Sequence, residues 1–266
     1  MDSIVILFIS GLLGLFAGMS KKPVASLFIA SFGLIGAGLA AYYRGSYTSP
    51  FSSYAAFVPT QGIVIILLCA VTLLALLGGL KRYKNDDEHT GDYFGLILFS
   101  LCGAILMAQP GDLMLFFIGL EILSIPIYVL VGIDKGSSTS AEAAVKYFFT
   151  GSFASAILLF GIALLYGATG SFQLIEIQSN LAIGIWQSPM AMIGSLFILA
   201  GFIFKIGAVP FHFWGPDVYA GASNAVLMYM STVVKIAGIY GLINVFGQVF
   251  RDSYFFWIDL ISLLIV

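Results

Sequence analysis

Charge is what this chain has least of. Asp, Glu, Lys and Arg together make up 9% of its 266 residues, where a soluble globular domain carries about 25%. That shortage excludes a soluble domain with an ordinary hydrated surface. The net charge of -2 points to no particular partner, and no nucleic acid is expected to bind. Cysteine is nearly absent as well. The two that occur, Cys69 and Cys102, lie inside apolar runs without CxxC or metal-ligand spacing, so no disulfide framework and no metal centre is expected, and both read as small packing residues. Flavin, haem and iron-sulfur ligand patterns are missing, as is any Ser/His/Asp arrangement. Gly11, Gly14 and Gly18, and Gly33, Gly36 and Gly38, fall within apolar stretches with no strand before them. They predict close helix packing rather than a phosphate-binding loop.

What is there in excess is long hydrophobic runs, with 60% of residues apolar and a mean hydropathy of +1.05. A bilayer core about 30 Å thick needs roughly 20 helical residues per crossing, and lipid-embedded backbone must satisfy its own hydrogen bonds, which favours helices. The runs are continuously apolar rather than alternating, which argues against a barrel. The fold class is therefore an all-α polytopic membrane protein. Eight complete spans are predicted at Ser3 to Met19, Val24 to Tyr43, Thr60 to Leu80, Tyr93 to Gln109, Leu113 to Ile133, Ala141 to Gly167, Pro189 to Val209 and Asn224 to Phe246. A ninth starts at Phe255 and stops at Val266 inside an apolar run, so the chain reads as the front part of a longer protein. The first span follows Asp2 instead of a basic segment and precedes no small-x-small cleavage site, and is expected to be retained.

Lys21, Lys22, Lys81, Arg82, Lys84 and Lys135 fall on one side of these spans and Arg44 and Arg251 on the other. The positive-inside rule puts the first group in the cytoplasm and the N-terminus outside. The stretch Lys81 to Asp92 mixes both signs and reads as a solvated turn, and LIEIQSNLAIGIW, after Gln173, as a short amphipathic element on the outer surface.

Three basic residues remain, all within spans: Lys146, Lys205 and Lys235. With them goes one acid, Glu121, in the otherwise apolar FFIGLEILSIPIYVLVGI. A charge at mid-membrane costs about 2.5 to 3.5 kcal/mol on insertion scales, so such groups usually face a wet or protein-lined interior and serve ions or protons. At 1.5 Å per residue Glu121 lies roughly 12 Å, and Lys235 roughly 16 Å, into its helix, near the midplane. Lys146 lies roughly 10 Å beyond Thr139, which with Glu142 has capping-box spacing, and its stem can snorkel. Lys205 precedes a run, FKIGAVPFHFWGPDVYAGASN, in which Gly207, Pro210, Gly215, Pro216 and Gly221 interrupt any regular helix. Broken helices at membrane depth line cavities or ion paths in transporters. The bland alternative is an interfacial loop with Phe211, His212, Phe213 and Trp214 as an aromatic belt. For the charges it is a salt bridge that only fixes helix packing. Three amines facing one carboxylate weigh against that, since a desolvated lysine gives up its proton more readily. His212 is either a packing residue or a proton carrier.

GLEILSIPIYVLVG, EAAVKYFFTGSFASAILLFGIALLYGATGSF and FKIGAVPFHFWGPDVYAGASNAVLMYMSTVVKIAG together resemble subunit N of bacterial NADH:quinone oxidoreductase, respiratory complex I, from Tyr93 to about Gly247. The broken-helix phrase is also similar to sister subunits and to multisubunit cation/proton antiporters. The resemblance implies an antiporter-like architecture of two inverted five-helix repeats. Residues 1-92 would be an N-terminal three-helix segment, 93-247 the first repeat with a discontinuous seventh helix, and 248-266 the start of a second half otherwise absent. It implies proton translocation by Glu121, Lys205 and Lys235, with less certain roles for Lys146 and His212. It also implies that this chain binds no cofactor. NADH, FMN, iron-sulfur clusters and quinone would belong to other subunits, its partners being the rest of the membrane arm and the lipid bilayer of the bacterial inner membrane.

Overall fold

A computed structural model describes residues 1-19, 23-43, 59-83, 90-109, 111-184 and 188-250, and in them ten α-helices. They are α1 (Asp2–Met19), α2 (Pro23–Tyr43), α3 (Pro59–Tyr83), α4 (Thr90–Ala108), α5 (Leu113–Val131), α6 (Ser138–Thr169), α7 (Leu174–Ala182), α8 (Pro189–Ile206), α9 (Gly215–Gly221) and α10 (Asn224–Val249). Eight are long and apolar enough to cross a membrane, all except α7 and α9. They are the eight predicted spans, shifted by a few residues at their ends. The ninth run, from Phe255, lies outside the described residues, as do Lys21, Lys22, Arg44, Lys84 and Arg251, on which the predicted orientation rests.

α4 is the hub. It is 83% buried over its apolar window against 28% for α1, because α1, α2, α3, α5 and α10 all pack on it. Small residues permit this. Gly103 of α4 and Gly119 of α5 face each other so closely that a methyl at Gly103 would stand 2.5 Å from the Gly119 carbonyl oxygen. Gly18 of α1 meets Gly91 of α4 in the same way, while Gly14 and Gly38 have open space where a Cβ would go. Only part of the predicted glycine set is therefore a packing seam. Cys69 and Cys102 are buried and unbridged.

Caps set the helix starts. Asp112 accepts from Leu115 N at 2.6 Å to begin α5, satisfying an amide that has no intrahelical partner. α6 begins earlier than predicted, because Ser137 rather than Thr139 is its N-cap, accepting from Ser140 N at 3.2 Å. The amphipathic α7 buries Leu174, Ile177 and Leu181, and its start is tied to that of α5 by Leu113 N to Phe172 O at 3.0 Å.

The seventh span breaks as predicted, but at Ile206 rather than Val209. Gly207 follows with φ 74°, a left-handed conformation open to glycine at little cost. Its N–H bonds Phe204 O at 3.0 Å and that of Ala208 bonds Ile203 O at 3.0 Å, the pattern of a Schellman stop. Turns lead on to α9, which leans on α6.

Candidate functional site

Glu121, Ser124 and Tyr128 stand at i, i+3 and i+7 on α5, one face of a helix. Lys205, the penultimate residue of α8, is 4% exposed and donates from Nζ to Ser124 Oγ at 2.5 Å. Ser124 in turn donates its hydroxyl to Leu120 O. The Glu121 carboxylate makes no ion pair with Lys205 here, and its buried Oε1 has no hydrogen-bond partner among the described residues. The reason is register. Lys205 arrives level with Ser124, about 4.5 Å along α5 from Glu121 at 1.5 Å per residue. A cavity of about 10 Å³ touches Lys205, Tyr128, Leu120 and Ser155, close to the space one water needs.

Lys235 of α10 sits just beyond the end of α8. Its Nζ donates to Ile206 O, one of the last carbonyls of α8, which have no intrahelical donor and carry the negative end of the helix dipole. Gly207 leaves the room: a Cβ there would lie 2.8 Å from the Lys235 nitrogen. The ammonium also faces the Trp214 ring at 5.1 Å and the Tyr219 ring at 5.9 Å, both attractive placements for a cation. Trp214 is itself fixed, donating from Nε1 to Phe204 O at 3.1 Å and stacking on Tyr147 of α6 at 4.9 Å. This buried indole overturns part of the aromatic-belt alternative, since of its four members His212 and Phe213 are exposed while Trp214 is 4% exposed.

Lys146 stands apart from this line. It reaches the surface of α6, where it binds Glu142 at 2.7 Å and Asp217 of α9 at 2.6 Å, beside a recess of about 220 Å³. Its ordinary charged form is thus doubly partnered. His212 lies on the exposed side of the break, and its ring makes no hydrogen bond among the described residues. The structure therefore gathers Glu121, Lys205 and Lys235 around the end of α8, and gathers neither Lys146 nor His212 there. Ser124, Tyr128, Trp214 and Tyr219 are the site members that sequence reasoning passed over. The hydroxyls at i+3 and i+7 from Glu121 were the available signal for the first two. No group of three or more metal-ligating side chains occurs among the described residues.

A family model described as NADH:quinone oxidoreductase/Mrp antiporter, transmembrane, matches residues 110–266, more than half of the chain. The chain belongs to that family. NADH-quinone oxidoreductase subunit N of Cytophaga hutchinsonii is 34% identical over 257 residues, which cover 95% of this chain and 54% of that protein. Among solved structures, a chain of respiratory complex I from Thermus thermophilus superposes with a TM-score of 0.73 at 28% identity, over 91% of this chain and 52% of that one. A chain of the Mrp complex from Dietzia superposes with a TM-score of 0.76 at 20% identity, over 97% and 50%, a likeness of fold alone. The chain thus spans about half the length of the family members it matches, and the discontinuous α8 with its lysine is the part that carries buried charge in an antiporter-like membrane fold.

Proposed function

We propose that this chain is the first-repeat portion, residues 93-247, together with the three-helix N-terminal segment, of a membrane-arm subunit that translocates protons in NADH:quinone oxidoreductase. Electron transfer would take place in other subunits, which hold NADH, FMN, iron-sulfur clusters and quinone. On this reading the chain has no redox site of its own, lies in the bacterial inner membrane with its N-terminus outside, and serves the oxidoreductase as a translocating part.

One observation carries the reading: a carboxylate with a buried oxygen unpartnered among the described residues, an enclosed amine and a second amine succeed one another around the end of an interrupted helix. At an effective dielectric near 20, a carboxylate 4 Å from an ammonium attracts it by about 4 kcal/mol, and at 8 Å by about 2 kcal/mol. That difference changes proton affinity more than tenfold. Movement of Glu121 toward or away from Lys205 would load or unload the amine, with Lys235 the next acceptor. Redox energy would reach the site as such a shift. The test is proton translocation coupled to NADH oxidation in membrane vesicles carrying Glu121→Gln or Lys205→Ala. Assembled complex with pumping strongly reduced is expected from each, and normal stoichiometry in either would overturn the reading. A membrane gradient that needs neither NADH nor quinone, yet is lost with this chain, would favour a cation/proton antiporter instead.

A further inference from the structure

We infer that Ser124 is a positioning residue, a second seat for the Lys205 ammonium that competes with Glu121. This rests on the proton-translocation reading and adds a member to its site. Three observations carry it. Lys205 Nζ, enclosed on all sides, bonds the Ser124 hydroxyl at 2.5 Å. Ser124 spends its own hydrogen on Leu120 O, so toward the lysine it offers only a lone pair. The carboxylate one turn away keeps a buried oxygen without a partner among the described residues, which an amine moving along α5 by about 4.5 Å would satisfy. A buried cation always needs a partner, and here the same face of α5 supplies two at i and i+3. One is charged and the other neutral.

The two seats differ in what they do to the amine. Beside Glu121 the ammonium is held by an opposite charge. Beside Ser124 it has a neutral acceptor, and Lys205 so placed lines a small cavity with Tyr128 and Ser155. Release of the proton therefore belongs to the Ser124 seat, and capture to the Glu121 seat. Among the described residues, Tyr128 from α5 and Ser155 from α6 line the same small cavity as Lys205, and the Lys235 ammonium on α10 is seated on Ile206 O.

Removal of the hydroxyl should bias the amine toward Glu121 by about ten- to hundredfold, the usual weight of a hydrogen bond to a charged group. The experiment compares Ser124→Ala, Ser124→Thr, Ser124→Cys and Glu121→Gln in the assembled oxidoreductase, measuring protons moved per NADH oxidised and the amount of complex in the membrane. Expected is a tenfold or greater loss of pumping in Ser124→Ala at normal complex content, recovery in Ser124→Thr, which keeps an oxygen acceptor, and an intermediate value in Ser124→Cys, a weak acceptor of similar volume. Normal pumping in Ser124→Ala alongside impaired Glu121→Gln would overturn the second seat and leave the proton path standing. Equal losses in Ser124→Ala and Ser124→Thr would also overturn it, marking a packing role. Normal pumping in Glu121→Gln would remove the proton path itself, and the inference with it.

Discussion

The Lys235 ammonium rests between the end of one helix and the face of one indole: it donates to Ile206 O and stands 5.1 Å from the centre of the Trp214 ring. Trp214 is thus both wall and cushion, since its own N–H closes the Phe204 carbonyl four residues before Ala208. Replacing it separates the two tasks. Trp214→Phe keeps a ring and loses the hydrogen bond, costing about 1 kcal/mol. Trp214→Leu loses the ring as well, about 1 kcal/mol more for a part-buried cation. NADH-driven proton uptake should fall in the order Phe then Leu, and equal uptake in the two variants would show that the ring does not hold the amine.

Gly207 allows this seating for two reasons at once. Its φ of 74° suits a residue without Cβ, and the empty volume beside it is taken by the Lys235 nitrogen, 2.8 Å from where a Cβ would be. Gly207→Ala is expected to lower stability by about 1 to 2 kcal/mol through the backbone alone and to displace the ammonium from Ile206 O. Thermal unfolding of the detergent-solubilised protein checks the first effect. Proton uptake, which should drop further than in a variant of equal stability elsewhere, checks the second.

The spans were legible because a bilayer tolerates so few sequences. Apolar length alone locates α1 to α6, α8 and α10 to within a few residues, and glycine with proline marks the break after Lys205. Glu121 and Lys235 were singled out by their expected depth along their helices, and Lys205 by the break that follows it. Register between helices was not legible. Nothing in the sequence says whether Lys205 meets α5 at Glu121 or one turn on at Ser124, because the answer depends on how far α8 slides against α6, where Gly161 and Gly194 let the backbones touch. The sequence set Lys146 apart only by the reach of its stem toward the interface, not by its partner. Its partner Asp217 lies 71 residues away on a seven-residue helix, in a stretch whose fold is decided by tertiary contact.

The Lys146 cluster is expected to act as a clasp. Two acids hold one amine across α6 and α9, and α9 carries Tyr219, part of the surround of Lys235. Lys146→Ala should therefore reduce proton uptake less than Lys205→Ala, with the deficit shrinking at high salt, where screening weakens the exposed pairs of the parent as well. Exchange of the charges, Lys146→Asp with Asp217→Lys, should recover what either single change loses. Failure of the double variant to exceed both singles would sink the clasp.

Tyr147 offers the sharpest contrast between wall and wire. Its ring is 1% exposed, stacks on Trp214 at an interplanar angle of 19° and meets Tyr128 edge-on at 4.8 Å, so it joins the aromatic wall of Lys235 to the hydroxyl ladder of α5. Its own hydroxyl is buried without a hydrogen-bond partner among the described residues, which costs about 1 to 3 kcal/mol relative to a satisfied group. If the ring is the working part, Tyr147→Phe removes that burden and keeps both ring contacts. The expected result is unchanged proton uptake and stability equal or higher by about 1 kcal/mol, whereas Tyr147→Leu, which loses the stacking on Trp214, should lower both. A Tyr147→Phe variant that assembles normally but pumps poorly would instead make the hydroxyl a conductor between Tyr128 and the break, and the aromatic wall would then be part of the proton's route.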